Sequence, residues 1–316
     1  MPNYGIIDLG SNTVRSCIYE VKDDTRKTYR KKKDFQSLIN HKIMAGLASH
    51  VIEGTMTAQG IDHAVSVLNG HLRRAEYFKC TRLDIFATAV LRNCTNSAEA
   101  TAAIEARIRK PICLLSAADE AHLGFVGASS AAAIEEGTLV DIGGGSTELT
   151  RITKGRDFDN ISIGQGSLSS FADGVRAILP TPQEADAITA SFQQKFDQSA
   201  SSALYRHPRL FGVGGSVRAA AKMYAEITGT INRPDTLLPA HVDEIIALYR
   251  KDPDAFGHLA LKAVPDRINT LLPGCLLLKQ IMYDCGTENL CICKGGVREG
   301  YLIERILQGQ PGTQSR

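Results

Sequence analysis

Two similar α/β domains are the fold class that this sequence predicts, and three observations carry the prediction. The chain has 316 residues, enough for two domains at roughly 150 residues each. After an opening pair of strand-like runs, short apolar segments alternate with stretches of helical spacing, the order expected of an α/β sheet. The opening itself recurs: IIDLGSNT at 6–13 and LVDIGGGST at 139–147 are each an apolar strand ending in Asp, followed by a Gly/Ser turn and a second strand. Asp8 thus corresponds to Asp141, which reads as an internal duplication rather than one continuous sheet.

The elements follow in order. Tyr4–Leu9 and Val14–Val21 are strands joined by the Gly-Ser-Asn turn, and the charged stretch 22–33 reads as a hairpin or an extended edge. Thr57 is suited to cap a helix running to about Lys79, because Ile61, Val65, Leu68, Leu72 and Ala75 recur at helical spacing. Arg82–Thr88 is a short apolar strand, Ser97 caps a helix to about Lys110, Pro111–Leu115 is a strand, and Ser116 opens a helix carrying Glu120. In the second half, Leu139–Ile142 and Thr147–Thr153 are strands and Pro182–Tyr205 is a helix. Strand Leu210–Val213 precedes helices near Ser216–Ile227, Ala240–Tyr249 and Asp266–Asp284. Strand Glu288–Cys293 and a terminal helix from about Val297 close the chain, with 310–316 expected to fray.

Composition narrows the function. A net charge of +2 provides no global field for nucleic acid or an acidic membrane, so any polyanion site must be built locally. Trp is absent and aromatics are 6%, which argues against a stacking platform for single strands; no nucleic-acid partner is expected. No apolar run approaches the roughly 18 residues of a membrane span, and the opening residues lack a signal-peptide pattern, so a cytoplasmic protein is expected. The eight cysteines read as reduced thiols, with Cys291 and Cys293 on a strand, and the eight histidines show no zinc-binding spacing.

Three glycine-rich turns follow predicted strands: Gly10-Ser11-Asn12-Thr13, Gly143-Gly144-Gly145-Ser146-Thr147 and Gly212-Val213-Gly214-Gly215-Ser216. Without Cβ atoms, successive N–H groups can converge on an oxyanion, and Ser or Thr adds hydroxyl donors. The third turn leads into a helix, whose N-terminus favours phosphate. One such turn would be weak, but three, two of them preceded by Asp, point to phosphate binding. The phosphate ligands expected here are Ser11, Asn12, Thr13, Gly143, Gly144, Gly145, Ser146, Gly214, Gly215 and Ser216. Asp141, Glu148 and Asp8 suit Mg²⁺ or Mn²⁺, a hard ion that takes one or two carboxylates plus water and phosphate oxygens. The same acids would also serve as plain turn caps.

DLGSNT near the start, ATAVLRN at 87–93, LLSAADEA at 114–121, LVDIGGGSTEL at 139–149, GVGGS at 212–216 and KGGVREG at 294–300 together resemble the Ppx/GppA family. These are exopolyphosphatases and guanosine pentaphosphate phosphohydrolases of the actin/Hsp70/sugar-kinase superfamily. The resemblance implies two actin-like (ribonuclease H-like) domains with an interdomain cleft, 1–125 plus about 298–316 and 126–297, without the helical C-terminal domain of longer members. It also implies a catalytic carboxylate at Glu120, within Ser116-Ala117-Ala118-Asp119-Glu120-Ala121, and a phosphate-binding Arg92; Asp141 and Glu148 fall on positions linked to metal. The chain departs from the family pattern at Ala117, at His122, and at Lys42-Ile43-Met44-Ala45-Gly46-Leu47, where a glycine and an acid are missing. The activity implied is metal-dependent release of the terminal phosphate of inorganic polyphosphate. The alternatives are hydrolysis of guanosine pentaphosphate, an ATP-dependent kinase, or a non-catalytic nucleotide- or alarmone-binding regulator of the same fold. A homodimer is left open.

Seven cationic side chains lie within Lys22–Lys33. They read either as a solvated hairpin face or as a polyphosphate track through Arg30, Lys31, Lys32 and Lys33. If they form a track, changing Lys31, Lys32 and Lys33 to Gln raises KM for long polyphosphate, most at low salt, because phosphate contacts release counterions. Tripolyphosphate, too short to reach the stretch, keeps its kinetics, and kcat survives on both substrates. Steady-state kinetics at two salt concentrations check this; an equal loss on both substrates sinks the track.

Overall fold

The computed structural model describes residues 1–22 and 32–309, Lys32 by its backbone alone. Arg30 and Lys31 of the basic stretch therefore lie outside the described residues, whereas the Lys33 side chain is exposed. The chain divides into two compact units, Met1–Ala132 with Gly295–Arg316, and Ala133–Lys294.

The first unit opens with β1 (Asn3–Leu9), β2 (Thr13–Val21) and β3 (Phe35–Met44), then a small ribbon of β4 (Val51–Ile52) and β5 (Thr55–Met56). It continues through α1 (Ala58–Tyr77), β6 (Arg82–Ala87), α2 (Ala89–Arg92), α3 (Ser97–Ile108), β7 (Cys113–Leu114) and α4 (Ala117–Ala131). Its sheet has the order β3-β2-β1-β6-β7, antiparallel through β1–β2–β3 and parallel through β1–β6–β7. The second unit has β8 (Gly137–Ile142), β9 (Thr147–Thr153), β10 (Arg156–Ile163), α5 (Ser167–Gly174), α6 (Pro182–Ser199), β11 (Arg209–Val213) and α7 (Gly214–Thr228). β12 (Thr236–Leu237), α8 (Pro239–Lys251), α9 (Pro253–Ala263), α10 (Ile268–Asp284) and β13 (Asn289–Ile292) complete it. Its sheet has the order β10-β9-β8-β11-β13-β12. The first five strands repeat the pattern of the first unit, three antiparallel and then two joined in parallel. Two copies of one strand order, each opening on the Asp-Gly turn, are the two similar α/β units that the duplicated motif implied.

Most expected elements are present, and two expected caps form, whereas Ser97, expected to cap α3, is its first helical residue behind Asn96, which makes no side-chain cap bond. Thr57 Oγ1 accepts the Gly60 N–H at 3.1 Å, and Ser116 Oγ accepts the Asp119 N–H at 3.0 Å. The sequence reading did not identify β3, β10, α5 or α9. β3 is a sheet edge whose residues are mostly exposed or half-buried, so it carries no alternation to read. The helix expected over Pro182–Tyr205 stops at Ser199, and Ser202–Tyr205 is a separate 3₁₀ turn.

Each sheet is buried by helices. β1 sends Ile7 and Leu9 to one face, where they pack with Val65 and Leu68 of α1 and Ile104 of α3. Ile6 faces the other way, among Leu123 of α4, Tyr301, Leu302 and Ile306. In the second unit, Val140, Ile142 and Leu149 meet Val217 of α7 and Leu276 and Leu277 of α10. Each fully buried aliphatic side chain of this kind contributes about 1.5–3 kcal/mol relative to exposure.

The crossing between units was expected near 125, but that point lies inside α4, which continues to Ala131. The return comes at Gly295 rather than near 298, ahead of α11 (Val297–Tyr301). The reason is a backbone contact. A Cβ on Gly127 of α4 would collide with the carbonyl of Gly296, and one on Gly300 of α11 would collide with the carbonyl of Leu123. Only glycine permits that approach, so the returning segment joins the first unit as soon as it reaches Gly295. After α11 the helix widens into a π-helix, Leu302–Leu307, marked by the Gln308 N–H bonding the Ile303 carbonyl at 3.0 Å.

Under α1, His71 is fully buried, with the ring of His41 on β3 centred 5.5 Å away. Burial pushes the His71 imidazole down to about 4, helped by Arg74 and His41 and opposed by a hydrogen bond at the Val14 backbone. The unfolded chain therefore takes up this proton first as pH falls. His71 contributes stability fully above about pH 6.5, and that contribution is lost as pH falls towards 4. Urea unfolding across this range should show a larger loss for the wild type than for His71→Gln. Equal losses would remove His71 as the cause.

Candidate functional site

In the first unit the turn after β1 is closed by the Gly10 N–H bonding the Thr13 carbonyl at 3.1 Å. The carbonyls of Ser11 and Asn12 accept from Ala48 and Gly46, each at 3.0 Å. This loop is therefore anchored through its acceptors. The Asp8 carboxylate, on the strand just before it, takes a hydrogen bond from Arg298 Nη1 at 2.7 Å. Arg298 also lies among Cys17, Glu299 and Tyr19. Burial opposes its charge, but these acidic groups and Asp8 push its guanidinium well above the ordinary value. Asp8, expected as a third metal acid, gives one carboxylate oxygen, Oδ2, to this arginine.

Two other expected residues come together. Arg92, the last residue of α2, donates from Nη1 to Glu120 Oε2 at 2.7 Å and to the Leu115 carbonyl at 3.0 Å. Glu120 sits in the first turn of α4, and both side chains are mostly shielded, at 18% and 14% exposure. β6 ends just before α2 and β7 just before α4, and these strands are neighbours in parallel register. The parallel pairing thus delivers the two residues, 28 apart in sequence, to the same end of the sheet.

In the second unit the equivalent turn repeats the first: the Gly143 N–H bonds the Ser146 carbonyl at 2.9 Å. It too is anchored through acceptors. The Gly143 carbonyl takes the Ser167 N–H, and the Gly144 carbonyl takes the N–H groups of Leu168 and Ser169, all at 2.9 Å from the start of α5. Two hydroxyls expected on phosphate serve the framework instead. Ser146 Oγ donates to Glu148 Oε1 at 2.7 Å, Ser216 Oγ donates to the Ile142 carbonyl at 2.8 Å, and both serines are buried. A hydroxyl so placed satisfies its neighbours in the core, and that requirement outweighs availability to a ligand.

Asp141 and Glu148 are direct partners across β8 and β9, and Asp141 is also paired with Val213 at the end of β11. Gly214 begins α7 with φ +83°, and a Cβ there would collide with Asp141 Oδ1. The carboxylate consequently lies against the helix start, an arrangement that only glycine allows. Over the next residue, Gly215, lies the guanidinium of Arg267, which a Cβ would also meet. Burial draws Arg267 below its ordinary value, and the Asp141 charge counters the fall. The N-terminus of α7, Arg267 and Asp141 thus form one group: donors suited to phosphate oxygens beside an acid suited to a cation. Among the described residues, no three His, Cys, Asp or Glu side chains converge as an all-protein metal cage. The facing pair Asp141 and Glu148 fits the other kind of site, in which a hard cation takes one or two carboxylates and completes its shell with water and phosphate.

Residues 29–308 match the Ppx/GppA phosphatase family. The chain belongs to that family. An uncharacterized Streptomyces coelicolor protein is 22% identical over 320 residues, covering 96% of this chain and 90% of that one. A Vibrio cholerae guanosine-5'-triphosphate,3'-diphosphate pyrophosphatase is 29% identical over 149 residues, which are 47% of this chain and 28% of that relative's length. Among solved structures, an exopolyphosphatase from Cytophaga hutchinsonii has a TM-score of 0.79 at 18% identity, covering 97% of this chain and 98% of its own. The Aquifex aeolicus Ppx/GppA family member gives 0.74 at 18% identity, with the same coverage. These structures share the fold.

The sequence alone did not point to Arg298 beside Asp8 in the first unit or to Arg267 beside Asp141 in the second. Arg298 lies inside KGGVREG, a segment that carried the resemblance, so its position was flagged although its partner was not. Arg267 has no such signal, because what marks it is its packing on Gly215 from a distant part of the chain.

Proposed function

We propose that this protein hydrolyses the terminal phosphate of inorganic polyphosphate, with Glu120 as the general base. The observation that carries the reading is the Arg92–Glu120 pair, a carboxylate and a planar guanidinium held 2.7 Å apart at one sheet end. Water attacks the end phosphorus in line, Glu120 takes its proton, and the bond to the bridging oxygen breaks, leaving a chain one phosphate shorter. Arg92 orients the carboxylate through one nitrogen and presents the rest of its fork to phosphate oxygens. Arg267 and the N-terminus of α7 hold phosphate charge in the second unit. Asp141 and Glu148 are the acids for Mg²⁺ or Mn²⁺, which when bound neutralises charge on the phosphate oxygens. The shared fold with the Cytophaga hutchinsonii exopolyphosphatase supports the substrate class.

Hydrolysis of guanosine pentaphosphate is the second reading, favoured by the Vibrio cholerae relative. Phosphate release from long polyphosphate, tripolyphosphate, guanosine pentaphosphate and ATP, measured side by side, separates the two. A higher kcat/KM on guanosine pentaphosphate than on either polyphosphate overturns the first.

Glu120→Gln should keep the fold and substrate binding and lower kcat by roughly 10²–10⁴, the range for a lost general base. Turnover within a few-fold of wild type would show that the base lies elsewhere. Asp141→Asn should shift activation to higher Mg²⁺ concentration in a metal titration. An unchanged activation curve removes Asp141 from metal binding.

A further inference from the structure

We propose that Arg305 and Glu304, at the C-terminal end of the first unit, are positioning residues that hold the Glu120 turn for hydrolysis. This inference rests on Glu120 being the base.

Glu120 is flanked by two side-chain contacts to the same short segment, one an arginine–carboxylate ion pair and one a histidine–carboxylate hydrogen bond. Arg305 Nη2 donates to Asp119 Oδ1 at 2.7 Å, and His122 Nε2 bonds Glu304 Oε2 at 2.8 Å. The remaining oxygen of Asp119, Oδ2, accepts from the Ser116 hydroxyl at 2.7 Å, and Ser116 Oγ in turn accepts the Asp119 N–H. The residues on both sides of Glu120 are thus tied to one neighbour, while Arg92 holds Glu120 itself from another side. Arg305 and Glu304 are largely shielded, at 12% and 15% exposure, while their partners Asp119 and His122 are more open, at 30% and 37%.

Two consecutive residues of one segment reach the same helix. Residues 302–307 form a π-helix, and both Glu304 and Arg305 extend from it to α4. The glycine contacts between α4 and α11 fix the start of that segment. Leu302, Ile303 and Ile306 anchor it in the core beside Leu123.

The chemical consequence is geometric. Proton transfer from water requires the carboxylate within hydrogen-bond reach, and displacements of about 1 Å can cost about 100-fold in rate. Loss of the Arg305 contact frees the first turn of α4 without removing any group that touches phosphate. The effect should therefore fall on kcat and leave KM unchanged.

The test measures kcat and KM on tripolyphosphate for Arg305→Ala, Arg305→Lys, Asp119→Asn and Glu304→Gln, with Glu120→Gln alongside and thermal unfolding of each. We expect Arg305→Ala to lower kcat by about 10- to 100-fold with KM within about threefold. Asp119→Asn and Glu304→Gln should lower it less, and Arg305→Lys should recover most of the loss by restoring the charge. A folded Arg305→Ala with kcat within twofold of wild type, while Glu120→Gln is severely impaired, overturns this inference alone. If Arg305→Ala fails to fold, the decision passes to Asp119→Asn, which keeps the side-chain shape and removes the charge; unchanged kcat there also overturns it. An unimpaired Glu120→Gln overturns the base assignment itself. A loss in every variant that appears equally in KM and in melting temperature marks the contacts as structural only.

Discussion

The contact on which the first unit depends is the meeting of two backbones, α4 and α11, at Gly127, Gly296 and Gly300. No side chain stands between them, so the segment that returns from the second unit lies directly on the helix that carries Glu120. That closeness makes Met1–Ala132 and Gly295–Arg316 one compact unit although they are far apart in sequence. It also brings three charged residues of the C-terminal segment into the site region: Arg298 to Asp8, Glu304 to His122 and Arg305 to Asp119. A β-carbon at Gly127, Gly295 or Gly300 would collide with backbone across this contact and displace these contacts together.

The duplicated Asp-Gly turn shows how one local device is put to two uses. Both copies close with the same N–H to carbonyl bond, Gly10 to Thr13 and Gly143 to Ser146, and both are held by their carbonyls. Their aspartates then diverge. Asp8 meets Arg298 and is neutralised within its own unit, whereas Asp141 lies against the start of α7 with Glu148 opposite and Arg267 nearby. At Asp8 the acid's charge is met by an arginine, whereas an acid beside another acid at a helix N-terminus suits a hard cation. The chemistry of each copy is decided by what packs on it, not by the turn.

Much of the fold and part of the site were legible along the chain. The two Asp-Gly openings, the helix of Ser116 and Glu120, and the glycines before α7 carry local patterns, set by side-chain periodicity, capping and the need for glycine. β3 was not legible because an edge strand has no buried face to write an alternation, and α9 was likewise missed. Ser146 and Ser216 misled for a related reason. A serine in a glycine turn is an equally good donor to a ligand or to a neighbouring acceptor, and here Glu148 and the Ile142 carbonyl lie closer to hand in the core.

What the sequence by itself determined is therefore the family, the two-fold repetition of the α/β unit, and the identity of Glu120, Arg92 and Asp141 as residues of interest. Glu120 and Arg92 rest on the family's motifs, and the rest on short-range order: a strand, a turn and a capped helix are specified by residues a few positions apart. Only the tertiary structure decided the pairings, Arg92 with Glu120, Arg298 with Asp8, Arg267 with Gly215, and Arg305 with Asp119. Each joins segments far apart in sequence. The partner of a charged side chain is settled by which backbones can approach closely enough, and in this protein that approach is set by parallel strand register and by glycines where two helices, or a helix and a guanidinium, come into direct contact.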